Sequence, residues 1–214
     1  MLTTATQMYA ATLSGIKKES TAVLNPTEWV LLINECYLNW VRDKADMAEF
    51  NQKIIEDLQP IHVIAISSPT SGNLFTYPSA VMKTLGIQFK ITYVNNICGL
   101  TGVSGWLKSK PMRADNYGAL SYYSNPKDNR LYYKITGNVV ELITGTSSTA
   151  SSMRIEYIKY PTAIALGPPD VPGEIRALQR QEIVDLAVRT YLERVKEERY
   201  QSNLQEDMFR VGKK

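Results

Sequence analysis

The chain has 214 residues, 44% of them apolar and 21% charged, with a formal net charge of +3. That length supports one good core, or a core with a small insertion, and the composition excludes a disordered chain. The charge is too small for bulk electrostatics to carry nucleic-acid binding, and no run approaches the about eighteen apolar residues that a membrane helix needs.

In chain order, Ala5, Met8, Tyr9 and Leu13 fall roughly on one side of a helix over Thr3–Leu13, which Gly15 and the Lys17-Lys18-Glu19-Ser20 run weaken. The N-terminus lacks the basic-then-apolar order of a signal peptide. Asn25-Pro26-Thr27-Glu28 is a helix start: Asn25 can cap, Pro26 suits the first helical position, and Glu28 stands where a capping-box acid reaches back. From there Trp29, Ile33, Cys36, Trp40, Met47, Phe50, Ile54 and Leu58 keep a 3.6-residue period to Pro60. One long helix, or two broken near Asp43 to Asp46, both fit. Cys36 lies on this stripe, so a buried free thiol is expected rather than a disulfide to Cys98, consistent with an intracellular chain.

The middle changes character. Ile61–Ile66 is a short apolar run, and Ser67–Ser79 reads as a long loop rich in Ser, Thr, Pro and Gly. Ile87, Phe89, Ile91 and Tyr93 alternate with polar residues as a strand, and Asn95–Gly105 returns to loop. Leu131, Tyr133 and Ile135 alternate again, Gly137-Asn138 signals a two-residue hairpin, and Val139–Thr144 follows. After a second polar loop, Thr144–Ser152, the residues Met153, Ile155 and Tyr157 alternate with Arg154 and Glu156, and the pattern slips at Tyr157-Ile158 as at a bulge. These runs predict a three-stranded antiparallel meander beside the Ile87 strand, with a further strand possible near Ala119–Tyr123. Pro161 and the elbow from Gly167 to Gly173 stop any ladder, because proline donates no backbone hydrogen bond. Ile175, Leu178, Ile183, Val184, Ala187, Val188, Tyr191, Leu192 and Val195 then mark one apolar helical stripe. The expected class is α+β: terminal helices, residues 1–60 with 173–214, forming a helical bundle, and an antiparallel β domain with long loops, residues 61–172, inserted between them.

Chemistry is scarce. The one histidine, His62, stands beside an apolar run and reads as structural; no Gly-x-Ser-x-Gly elbow accompanies it. One histidine and two cysteines leave no metal-ligand spacing. The glycines of Gly99–Gly105 lack the Gly-Lys-Ser/Thr end of a phosphate loop and do not fit the dinucleotide fingerprint. Asp43, Asp46, Glu49, Glu56 and Asp57 read as a solvated helix face, or as a rim meeting a partner. No catalytic residue, metal or cofactor is expected, and hence no enzyme. Lys108, Lys110 and Arg113 near Trp106, Tyr117 and Tyr122 form a basic and aromatic mixture that suits either a strand edge or a nucleic-acid contact. The pairs Tyr122-Tyr123 and Tyr132-Tyr133 must each send one ring outward if they lie on strands, which suggests a subunit contact.

Four stretches carry a family resemblance. Ile155-Glu156-Tyr157-Ile158-Lys159-Tyr160-Pro161, followed by Glu182-Ile183-Val184-Asp185-Leu186-Ala187-Val188-Arg189, resembles the ring-forming head-to-tail connector proteins of tailed bacteriophages, most of all those of crAss-like phages. Asn51–Leu58 and Lys110–Tyr117 fall in the order that family shows, so the resemblance covers most of the chain. It implies a structural virion protein, assembled in the host cytoplasm as a homo-oligomeric ring of about twelve subunits. That ring joins the portal protein to an adjacent tail ring protein and lets double-stranded DNA pass without sequence-specific binding; no membrane is involved. Alternatives are a nucleic-acid-binding module, or an accessory protein of the capsid or lower tail. In the tail, Ser202–Lys214 is expected to be loosely ordered alone and to dock on the portal or a neighbouring ring, with Met208 and Phe209 as anchor and Arg210, Lys213 and Lys214 meeting an acidic rim.

Overall fold

The helices begin where side-chain oxygens can receive their free N–H groups. Asn25 Oδ1 accepts from the Glu28 N–H at 2.8 Å and opens helix α2 (Pro26–Ala48). Helix α1 (Ala5–Glu19) is opened by the Thr4 hydroxyl, which accepts from the Gln7 N–H, and by a carboxylate far along the chain. Asp170 accepts from the N–H groups of Ala5 and Thr6 at 2.9 and 3.2 Å and from the Thr6 hydroxyl at 2.8 Å. Asn51 caps the short α3 (Gln52–Asp57), so the periodic stretch holds two helices, but α2 continues through Asp43 to Asp46, where a break was expected, and ends at Ala48. A 3₁₀ turn, Gln59–Ile61, follows, and α4 (Ala177–Val211) closes the chain. The computed structural model describes residues 2–19, 24–48, 51–93, 104–112, 131–143 and 148–211. The candidate strand at Ala119–Tyr123 lies outside them.

The chain divides into two compact units, Met1–Ile61 with Pro161–Lys214, and His62–Tyr160. In the first, α1 and α2 each run along α4. Trp29 is fully buried, its indole N–H donates to the buried Thr12 hydroxyl at 3.0 Å, and its ring meets Tyr9 at 5.3 Å. Across α2 and α4, the Trp40 indole donates to Glu182, the Cys36 thiol approaches Thr190, and Arg194 grips Glu35. Burial holds the Cys36 thiol above its ordinary range.

The second unit is one seven-stranded sheet in the order β1 (His62–Ser67), β7 (Ser148–Lys159), β3 (Val81–Tyr93), β4 (Ser104–Pro111), β5 (Leu131–Thr136), β6 (Val139–Ile143), β2 (Leu74–Thr76). All pairs are antiparallel except β4 with β5. The sheet curls: Phe75 on the last strand meets Phe89 on the third, ring centroids 5.3 Å apart. With Ile87, Ile91, Leu131, Val140, Leu142, Met153 and Ile155 they form one buried core on the inner face. Each such side chain contributes about 1.5–3 kcal/mol by leaving water.

The expected terminal helical bundle carrying an inserted antiparallel β domain is therefore corrected. The class is α+β, but among the described residues seven strands in one curled, mixed sheet outnumber four helices, and these helices do not make a bundle, α3 being only six residues long. The meander fails in its last step. β5 and β6 form the hairpin, with Gly137 at φ +58°, but β7 lies between β1 and β3, where both its edges are paired. Strand β2 arises inside the expected Ser67–Ser79 loop. The slip at Tyr157-Ile158 does mark an irregularity: opposite it, β3 shifts register on both sides of Lys83-Thr84. The backbone stays helical to Val211, past the loosening expected from Ser202. No helix of the described residues is long and apolar enough to cross a membrane.

Candidate interaction face of the sheet

Side chains alternate along a strand, so every core residue of the curled sheet has neighbours that point the other way. On β4 these are Trp106, Lys108 and Lys110, while Leu107 packs on the core and the Ser109 hydroxyl donates to the Ile87 carbonyl at 2.8 Å. Pairing sets their neighbours. Arg154, Gln88 and Lys108 stand directly opposite one another across β7, β3 and β4, and Ser152, Lys90 and Trp106 form the next row. On the other side of β4, the parallel register places Lys110 beside Tyr132. With strands about 4.8 Å apart and same-face residues about 6.8 Å apart, the cations Arg154, Lys90, Lys108 and Lys110 fall within about 10 by 14 Å. Lys108 and Lys110 are exposed, Arg154 and Lys90 half-buried, and Trp106 is 39% exposed.

The same face ends at β1, an edge of the sheet. His62 sits beside Glu156, with Nε2 2.9 Å from Oε1, and beyond it Ile64 and Ile66 are 48% and 65% exposed. Among the described residues only β7 pairs with this strand, so its second row of backbone N–H and C=O groups faces outward.

The sequence-predicted sites distribute unevenly over this geometry. Tyr132 lies half-buried on the basic face, but Tyr133 is 8% exposed and belongs to the core, so it cannot serve an outer contact. Tyr122, Tyr123, Tyr117 and Arg113 lie outside the described residues. Met208, Phe209 and Arg210 fall on the last turns of α4 with side chains outside the described residues, as are Lys213 and Lys214 altogether. Of the acidic patch, Asp57 accepts from Gln179 Nε2 at 3.0 Å, and Asp43 and Asp46 border a shallow cleft with Met47, Asn51 and Ile54. Among the described residues, no group of three or more His, Cys, Asp or Glu side chains could hold a metal ion. Sequence reasoning missed Lys90 and Arg154 as members of the basic face and missed Ile64 and Ile66 as edge residues. The alternation Trp106-Lys108-Lys110 was a readable signal, whereas the strands beside it were not.

Comparison with protein-family models gives no match to this chain, and comparison with curated proteins gives none either.

Proposed function

We propose that this chain is a structural subunit of a tailed-phage virion, assembling head to tail into a ring of about twelve copies that joins the portal to the tail. The resemblance of four stretches spread over most of the sequence motivates the reading, and the β1 edge is the observation that carries it. Proteins that stay monomeric blunt their sheet edges with brevity, lysine, proline or a bulge. The far edge, β2, follows that rule with three residues. Strand β1 has six, His62-Val63-Ile64-Ala65-Ile66-Ser67, with no lysine or proline and two outward isoleucines. A neighbouring subunit would bury them and satisfy the free backbone groups. A closed ring needs a second, different patch, and in the helical unit Leu31 and Leu178, each about 70% exposed, are two separate candidates for it.

Light scattering on the purified chain, alone and with the portal protein from the same phage, tests this. The wild type forms the ring in at least one condition, and Ile64→Lys with Ile66→Lys leaves a folded monomer in both. A wild type that stays monomeric with and without portal, and is missing from purified virions, overturns the reading.

A further inference from the structure

From the basic face of the sheet we infer a binding surface for single-stranded polynucleotide, with backbone phosphates on Arg154, Lys90, Lys108 and Lys110 and a base stacked on Trp106. Three observations carry it. The four cations are brought together by strand pairing from three different strands, and none of them meets a carboxylate among the described residues. The nearest acid on the face, Glu156, is already engaged by His62. Trp106 stands directly opposite Lys90, with Lys108 two residues along its own strand, so an indole lies between ammonium groups on a pleated surface.

The aromatic decides between single and double strand. A duplex hides the faces of its bases and offers only phosphate to a sheet surface, so an exposed indole gains nothing from it. An unpaired base can stack, and stacking tolerates any sequence. Tyr132, beside Lys110, continues the face in the direction that a strand crossing β3, β4 and β5 would take. An acidic protein segment would meet the cations equally well but would leave Trp106 without a role. This binding goes beyond the connector reading and stands or falls apart from it: a monomer can bind, and a ring can fail to.

Fluorescence anisotropy of labelled oligothymidylate of about 20 nucleotides, titrated with the full chain, is the test. Binding is expected at low salt, falling as salt rises with a log–log slope of about −2 to −3, from about −0.7 for each phosphate neutralised. Lys108→Glu with Lys110→Glu loses at least about tenfold in affinity, and the milder Lys108→Gln with Lys110→Gln loses less in the same direction. Trp106→Ala loses about tenfold while keeping most of the salt slope. Circular dichroism of each variant keeps loss of fold separate from loss of binding. No salt-dependent binding by the wild type, or unchanged affinity in both lysine variants, overturns the inference. Equal or tighter binding of a duplex of the same length, insensitive to Trp106→Ala, replaces it with plain phosphate attraction. Polyglutamate bound as tightly as the oligonucleotide replaces it with an acidic protein partner.

Discussion

Tyr37 shows what burial does to one group in the helical unit. It is 1% exposed, and its hydroxyl accepts the Glu174 N–H at 3.3 Å. Burial pushes its pKa up to about 12 from an ordinary 10. Below pH 10 the phenol is neutral in both the folded and unfolded chain, so its contribution is complete there. Between about pH 10 and 12 the unfolded chain ionises first, and stability falls as pH rises, by about 2–3 kcal/mol over the whole window. Tyr37→Phe is expected to flatten that part of the curve of thermal midpoint against pH. Identical alkaline profiles for the two proteins would refute the account. Asp170 works in the opposite direction. Burial alone would raise its pKa, but the hydrogen bonds from the Thr6 hydroxyl, the Thr6 N–H and the Ala5 N–H outweigh this and hold it below the ordinary 3.8. Its stabilisation of α1 is therefore present above that value and is lost as pH falls through the lower native pKa. Asp170→Ala is expected to lower the thermal midpoint at neutral pH and to show a shallower acid loss than the wild type.

At the scale of elements, α1 meets α4 through a glycine. A Cβ on Gly15 would lie 2.8 Å from Val188 Cγ2 and 3.3 Å from Cγ1. Glycine to alanine inside a helix ordinarily gains about 1 kcal/mol. Here the added methyl meets a branched side chain with little rotamer freedom, so Gly15→Ala is expected to cost about 1–2 kcal/mol in chemical denaturation. Val188→Ala should restore most of that loss in the double variant; a Gly15→Ala protein more stable than wild type would mean the helices do not touch there. Gly15, which looked like a helix breaker in the sequence, is thus a contact residue, and α1 runs four residues beyond it. What the sequence made legible was local: the cap at Asn25-Pro26, the hairpin at Gly137-Asn138, the alternation of β3 and of Met153 to Tyr157. What it hid was pairing. Three residues of β2 are too few to show a period, and the parallel register of β4 with β5 depends on where the chain returns after Met112. The candidate face was half visible for the same reason. Trp106, Lys108 and Lys110 alternate on one strand, but Lys90 and Arg154 join them only through register.

For the whole molecule, the two ends of the sheet unit adjoin. His62 pairs with Ile158, so the chain enters and leaves by neighbouring antiparallel strands, and the entire inner core lies between them. Residues 62–160 expressed alone are expected to unfold in one cooperative thermal transition with native strand content by circular dichroism; a non-cooperative melt would show that the sheet unit depends on the rest of the chain. The same arrangement sets an order of events on the ribosome. When α2 emerges, the helix that meets Cys36 and Trp40 does not yet exist, and at about 5–20 residues per second the intervening stretch takes roughly 6–26 s to make. Throughout that interval α1 and α2 keep an oily face open, while the sheet can finish as soon as β7 is out. The newest part of the chain thereby completes the oldest, and the apolar side of α2 is a ready target for chaperones until it does.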